Sequence, residues 1–311
     1  MKENTVWILL QEIATKKRIT EIIINSPDNI YLEREGELIR INSRVKPEDL
    51  TEFCQQVAEI NKVEFSPSYP LLDGTLPDGS RINIVSSLYT GKFPAITIRK
   101  YLNEISTFDD LNGRFNITDK WIELLKVLVR AKTNILVAGG TGVGKTTFLN
   151  MLLQEIVPTQ RVVTIEDTRE LSFNLPNTVR LTSANRSSKV KNPLKMTDLV
   201  RNALRMRPDR IIIGEVRGPE AFDLLQAMNT GHDGSMCTVH ANSPSEALMR
   251  IENLYMLAGH DIPLKAIRYQ MKTAIDYIIH LERDRDLGRV VGSISEVTGM
   301  EGDKILLQKL G

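Results

Sequence analysis

Apolar positions in the first hundred residues alternate between helix-like and strand-like spacing. Residues 5–16 predict a short helix, and Thr20-Glu21-Ile22-Ile23-Ile24-Asn25 predicts a strand ended by the turn-forming Ser26-Pro27-Asp28-Asn29. Ile30-Tyr31-Leu32-Glu33 and Glu37-Leu38-Ile39-Arg40-Ile41 flank Arg34-Glu35-Gly36, which predicts a hairpin. From Leu50 to Ile60 the period is helical, with Phe53, Val57 and Ile60 on one face. Leu76-Pro77-Asp78-Gly79 predicts a turn, followed by alternating strands at 81–85 and 95–99. Together these elements predict a small α+β domain over residues 1–102. Loop composition over 103–117, including Asn112-Gly113, predicts a linker.

From residue 118 to 311 the pattern becomes alternating helix and strand. Asp119 is a candidate cap for a helix carrying Trp121, Leu124, Leu125 and Leu128. Apolar runs predict strands at 135–138, 162–165, 179–181, 211–213 and 236–239. Ser243-Pro244-Ser245-Glu246 has the form of a capping box with proline in the first turn. This alternation predicts an α/β fold with a mainly parallel sheet and helices on its faces, in which ligands bind beyond the carboxyl ends of strands. The polar, basic stretch from Thr182 to Lys195 predicts a solvated loop.

One strand end carries unmistakable chemistry. Ile135-Leu136-Val137-Ala138 runs into Gly139-Gly140-Thr141-Gly142-Val143-Gly144-Lys145-Thr146, and the helix-forming Thr147-Phe148-Leu149 follows. Strand, glycine loop and helix are the order a phosphate-binding loop requires. Glycines let successive amides curl around phosphate oxygens, and the helix N-terminus adds a favourable dipole. The candidate nucleotide-binding residues are Gly140, Thr141, Gly142, Val143, Gly144, Lys145, Thr146 and Thr147. Lys145 is placed to reach the β- and γ-phosphates and Thr146 to put its hydroxyl on Mg²⁺. A bare glycine turn would account for the glycines but not for Lys145-Thr146.

Composition narrows the function. With 311 residues the chain is long enough for two cores. A net charge of +1 gives no global field for nucleic acid or an anionic membrane. No apolar run approaches the roughly 20 residues of a membrane span, and the N-terminus lacks the pattern of a signal peptide. The two cysteines, Cys54 and Cys237, are far apart, which predicts reduced thiols in a cytoplasmic protein and no structural zinc built on cysteine pairs.

Three other strand ends bear candidate chemistry. Ile165-Glu166-Asp167 puts two carboxylates where an NTPase needs acids to hold Mg²⁺ through water or to orient the attacking water, although solvated loop acids would look the same. Ile211-Ile212-Ile213-Gly214-Glu215 ends a buried strand with Gly214 where an aspartate usually stands, so Glu215 is the candidate base or Mg²⁺–water ligand. His240 ends Met236-Cys237-Thr238-Val239 and could hydrogen-bond the γ-phosphate; a partly exposed polar residue is the plainer alternative. His232-Asp233 is read as a turn rather than a metal or proton-relay pair.

Taken together, these segments resemble the secretion-ATPase superfamily of type II secretion, type IV pilus and type IV secretion motors, over nearly all of residues 118–300. The loop resembles its Walker A, Ile165-Glu166-Asp167 its aspartate box, Leu204 to Gly218 its Walker B with the Gly-Glu ending, and Gly231 to Ser243 its histidine box. Pro77-Asp78-Gly79-Ser80-Arg81 and Thr97-Ile98-Arg99-Lys100 are similar to its N-terminal domain. The resemblance implies a RecA-like P-loop domain preceded by a PAS-like α+β domain, with Mg²⁺-dependent ATP hydrolysis by a homo-hexamer. Its implied catalytic set is Glu215, Glu166 and His240, with Arg81 and Arg99 as γ-phosphate arginines and Thr146 and Glu215 toward Mg²⁺. It also implies a cytoplasmic protein reaching the inner membrane through a platform protein, with no direct nucleic-acid partner. Ala227 to Gly234 and Arg205 to Asp209 are most similar to the tight-adherence (Flp) pilus ATPases of the CpaF type. The early start of the α+β domain also suits the shorter conjugative and type IV secretion ATPases. The rival readings are a nucleic-acid translocase, an ATP-switched scaffold and a small-molecule kinase.

Overall fold

The computed structural model describes residues 4–16, 19–34, 37–100, 107–108, 115–183 and 192–310. The chain divides into two compact units, one chiefly Met1–Asn103 and the other Glu104–Ser183 with Leu194–Gly311. Much of the expected linker, and most of the loop expected between Thr182 and Lys195, lies outside the described residues.

In the first unit the elements are α1 (Thr5–Ala14), β1 (Ile19–Ser26), β2 (Asn29–Arg34), β3 (Glu37–Ile41), α2 (Pro47–Ile60), β4 (Leu71–Thr75), β5 (Arg81–Val85), α3 (Ser87–Thr90) and β6 (Ala95–Arg99). Among the described residues they form an antiparallel six-stranded sheet, ordered β3-β2-β1-β6-β5-β4. Alternate residues such as Ile22, Ile24, Ile82, Ile84, Ile96 and Ile98 share one core with Leu50, Phe53 and Val57 of α2. The Ser26–Asn29 turn is tighter than expected: Ser26 pairs with Asn29, leaving Pro27-Asp28 as the connection. Helix α2 begins at Pro47, because proline at the first helical position lacks only an N–H that would be unpaired there anyway. Ile60, expected on the buried face, is 47% exposed at the helix end, and Cys54 and Ala58 are buried instead. Strand β4 was not anticipated. Asn61 holds it by bonding both the N–H and the C=O of Thr75, and Gly74 leaves room for the Asn61 side chain.

In the second unit the elements are α4 (Asp119–Arg130), β7 (Ile135–Gly139), α5 (Lys145–Gln154), β8 (Val162–Glu166), β9 (Thr178–Thr182), α6 (Met196–Ala203), β10 (Arg210–Ile213), α7 (Glu220–Asn229), β11 (Met236–His240), α8 (Pro244–Met256), α9 (Leu264–Ala274), β12 (Tyr277–Asp284), β13 (Gly288–Glu301) and β14 (Lys304–Leu310). The sheet order is β14-β13-β12-β7-β11-β10-β8-β9. Pairing is parallel from β12 through β9, whereas β12, β13 and β14 form an antiparallel meander that the apolar pattern did not predict. The inner parallel strands β7, β8, β10 and β11 are buried on both faces, which explains their largely apolar runs. Leu136 and Ala138 of β7 face a core shared with α6, α7, α8 and α9; Ile135 and Val137 face one shared with α4 and α5. Thr118, not Asp119, caps α4, its hydroxyl accepting from the Trp121 N–H, and Asp119 lies in the first turn near the positive end of the dipole. At the strand end remote from the phosphate loop, buried Arg210 donates to Gln160 Oε1 and to the carbonyls of Gly234 and Val129.

Candidate active site

Parallel pairing aligns the chemistry. His240 is the register partner of Gly139, and Ile213 pairs with both Ile165 and Cys237. The carboxyl ends of β7, β8, β10 and β11 therefore open on one edge of the sheet, where the phosphate loop, Glu166, Glu215 and His240 stand.

The loop turns through Gly142 and Gly144, whose φ angles of +73° and +93° disfavour any residue with a Cβ. Gly144 caps α5, and Lys145 begins the helix, 7% exposed. Its ammonium donates to the carbonyls of Gly139 and Gly140 at 3.0 and 2.8 Å. The same nitrogen lies 3.4 and 3.3 Å from Nδ1 and Nε2 of His240. The Thr146 hydroxyl donates to Glu170 Oε2 at 3.2 Å, a partner that the sequence pattern did not single out.

Glu166 is 2% exposed at the end of β8. Its Oε1 accepts from the N–H groups of Glu170 and Leu171 at 2.7 and 2.8 Å, while its Oε2 accepts no hydrogen bond among the described residues. Burial raises its pKa, against the opposing effect of the two amides and Arg180. The unexpected Gly214 has a geometric reason: a Cβ there would come within 3.1 Å of Glu166 Cγ.

Glu215 follows Gly214. Arg217 ties it to Asp167, binding Glu215 Oε2 with Nη2 and lying 2.5 Å from Asp167 Oδ2 with Nη1. His240 Nε2 lies 2.8 Å from Glu215 Oε1, an oxygen that makes no aligned hydrogen bond among the described residues. Burial first, then the Lys145 cation, lower the pKa of His240 despite the pull of Glu215, so the ring is neutral at pH 7. The Thr238 hydroxyl donates to the Gly214 carbonyl and the Val216 N–H to the Thr238 carbonyl, fixing the Glu215 turn to β11. Ser243 caps α8, as expected, but the Glu246 carboxylate returns to the N–H of Asn242 rather than of Ser243. A cleft of about 370 Å³ lies beside the loop, bounded by Gly140, Thr141 and His240 and by Glu246, Met249 and Arg250 of α8.

In the first unit Arg81 and Arg99 are cross-strand partners, and Glu21 is the register partner of Arg99 on its other side. One face of that sheet thus carries a row Glu21–Arg99–Arg81 in which an acid neighbours the arginine pair. The His232 imidazole Nδ1 lies 3.3 Å from the Ala227 carbonyl, and the following Gly234 and Ser235 amides bind Asn134 Oδ1, which makes the segment a turn that starts β11. Burial pushes the thiols of Cys54 and Cys237 up to about 12, so neither is a thiolate at neutral pH.

A glycine loop closed by Lys145 at the start of α5 places the second unit among the P-loop nucleotide-binding folds. The model of the type II/IV secretion system proteins matches residues 8–290, and the chain belongs to that family. The type IV secretion system protein PtlH of Bordetella pertussis is 33% identical over 303 residues, covering 89% of this chain and 87% of its own length. The conjugal transfer protein TrbB of Rhizobium radiobacter is 31% identical over 286 residues, covering 90% and 84%. The crystal structure of the VirB11 ATPase from the Brucella suis type IV secretion system, in complex with sulphate, is 28% identical, covers 94% of each chain and superposes with a TM-score of 0.52. The mixed α/β architecture is shared with that structure. Among the described residues no helix is long and apolar enough to cross a membrane.

Proposed function

We propose that the protein is an ATPase motor, acting as a homo-hexamer on a membrane-anchored secretion or pilus machine. The observation that carries this reading is the meeting of Lys145, His240 and Glu215 at one strand edge, with contacts of 3.3 and 2.8 Å linking them.

On ATP binding Lys145 would exchange its two loop carbonyls for β- and γ-phosphate oxygens, beside the amides of the glycine loop. Glu215 would orient a water and take its proton as the water oxygen bonds to the γ-phosphorus and the bond to the ADP oxygen breaks. Neutral His240 lies beside both groups and would hydrogen-bond the γ-phosphate. Glu166 would act as the second acid through Oε2. Mg²⁺ fits this set, because Thr146 offers a hydroxyl and Glu166 and Glu215 each keep a buried oxygen without a hydrogen bond. When bound, Mg²⁺ would neutralise phosphate charge. The γ-phosphate role of Arg81 and Arg99 rests on the family resemblance, and the division into domains at 1–102 and 118–311 on the change of apolar pattern along the chain.

The Ala227–Gly234 and Arg205–Asp209 segments favour a tight-adherence pilus motor in the cytoplasm, held to the inner membrane by a platform protein. Conjugative or type IV secretion is the second reading, favoured by PtlH and TrbB, each matched over most of its length. Glu215→Gln protein, crosslinked in its native cell and analysed by mass spectrometry, tests the assignment. Pilins with a polytopic platform protein support the first reading, conjugation or effector-channel components the second, and a DNA-bound complex without either contradicts both.

A further inference from the structure

We infer that Arg250 of α8 binds the γ-phosphate end of the nucleotide and so sets the preference of the site for a nucleoside triphosphate over a diphosphate. The inference rests on the proposed reading of this strand edge as an ATPase site. Strand β11 ends at His240 and α8 starts at Pro244, so the connecting turn is short. The Ser243 hydroxyl fixes it by accepting from the Glu246 N–H at 3.1 Å. One face of α8, including Ala247, Ile251 and Leu254, is anchored in the core. Glu246, Met249, Arg250 and Asn253 recur at helical spacing on the outer face and line the cleft of about 370 Å³. The same cleft is lined by Gly140 and Thr141 of the phosphate loop and by His240. Arg250 is therefore held on a packed helix beside the loop.

Charge decides what this cleft can take. The main charges acting on the His240 ring are the cations Lys145, Arg217 and Arg250 and the carboxylate of Glu215. Lys145 is engaged by the carbonyls of Gly139 and Gly140, and Arg217 by Glu215 and Asp167. Glu246, four residues before Arg250, is the carboxylate spaced to pair with it on the helix. Its Oε2 instead accepts from the N–H and Nδ2 of Asn242 at 3.1 and 3.0 Å. Among the described residues Arg250 makes neither an ion pair nor a hydrogen bond, so the cleft carries a cation that a phosphate would satisfy. Position selects which phosphate. The N-terminus of α5 and the loop amides cradle the inner phosphates. The cleft lies instead by the first residues of the loop and by His240, which is 3.3 Å from the Lys145 ammonium that reaches outward to the γ-phosphate. After cleavage Arg250 loses this partner, while Lys145 and the loop amides still hold ADP.

A solvated surface arginine would also be exposed and unpaired, so the test must read the charge of the ligand. Competition with a fluorescent ADP analogue, in the presence of Mg²⁺, gives the affinities of the full chain for ADP and for adenylyl imidodiphosphate, a non-hydrolysable ATP analogue. Wild type, Arg250→Gln and Arg250→Glu are compared. Arg250→Gln should weaken the imidodiphosphate complex about 10- to 100-fold and the ADP complex by less than about twofold. Arg250→Glu should widen that gap further. Retained ADP affinity shows that each variant is folded. Equal losses for the two nucleotides, or an unchanged preference in both variants, overturn the γ-phosphate assignment and leave the ATPase reading standing. Failure of the wild-type chain to bind either nucleotide overturns the ATPase reading and the inference with it.

Discussion

Gly142 and Gly144 lie in the same loop with similar backbone angles, yet alanine is expected to cost far more at Gly144. Each has φ in the left-handed region, at +73° and +93°, so alanine at either carries the backbone cost of about 1–2 kcal/mol. Around Gly142 a new Cβ meets nothing within 4 Å. At Gly144 it would lie 2.8 Å from Phe115 Cζ. Phe115 cannot yield easily, because it is 6% exposed and packs edge-on against Phe148 with ring centres 5.4 Å apart. Overpacking of this kind adds about 1–3 kcal/mol, so Gly144→Ala should lose about 2–5 kcal/mol in total. Urea unfolding followed by Trp121 fluorescence measures this in a Trp7→Phe background, since Trp7 packs on Phe53 in the first unit. A second replacement, Phe115→Ala, should recover part of the Gly144→Ala loss by making room. Equal unfolding midpoints for Gly142→Ala and Gly144→Ala would refute the packing argument.

NMR titration of the histidine ring protons should find His240 still neutral below the ordinary value of about 6.5, and Lys145→Met should move its titration upward. The unfolded chain binds that proton more readily, so this group withdraws stability as pH falls below about 6.5 until the folded ring itself titrates; an unmoved His240 in Lys145→Met contradicts the Lys145 contact. Arg210→Met takes the donor from the Gly234 carbonyl and one of two donors from the Val129 carbonyl, which keeps the Lys132 N–H, and should cost about 1–3 kcal/mol in the same urea assay. Wild-type stability of Arg210→Met would show that the buried guanidinium is dispensable.

Much of the site was legible because each part ends an apolar run. Lys145-Thr146 after the glycines, Glu166 after Val162–Ile165, Glu215 after Ile211–Ile213 and His240 after Met236–Val239 could all be placed from one-dimensional pattern, since parallel strands buried on both faces are continuous and apolar. Glu170 and Arg180 were not legible. Their contacts with Thr146 and Glu166 depend on how the loop after β8 folds back and on the register of β9, whose partly buried residues alternate weakly. Gly214 looked like a departure from an aspartate and is explained only by the Glu166 side chain passing beside it. Strands β12 to β14 escaped because they form an antiparallel meander with charged, exposed residues at strand ends, such as Glu282-Arg283-Asp284 and Lys304, so charges and polar residues interrupt their apolar positions. At helix ends the choice between Thr118 and Asp119 turned on which oxygen reaches the Trp121 N–H, a matter of geometry that overrides the somewhat stronger capping preference of aspartate.

The central claim is that this edge of the sheet hydrolyses ATP with Glu215 acting on water. Phosphate release with Mg²⁺ and ATP, measured beside nucleotide affinity for wild type, Lys145→Ala and Glu215→Gln, tests it most directly. The account predicts release by wild type and loss of both binding and turnover in Lys145→Ala. In Glu215→Gln it predicts near-normal binding with turnover reduced about 10²- to 10⁴-fold. Undiminished phosphate release by Glu215→Gln would contradict it.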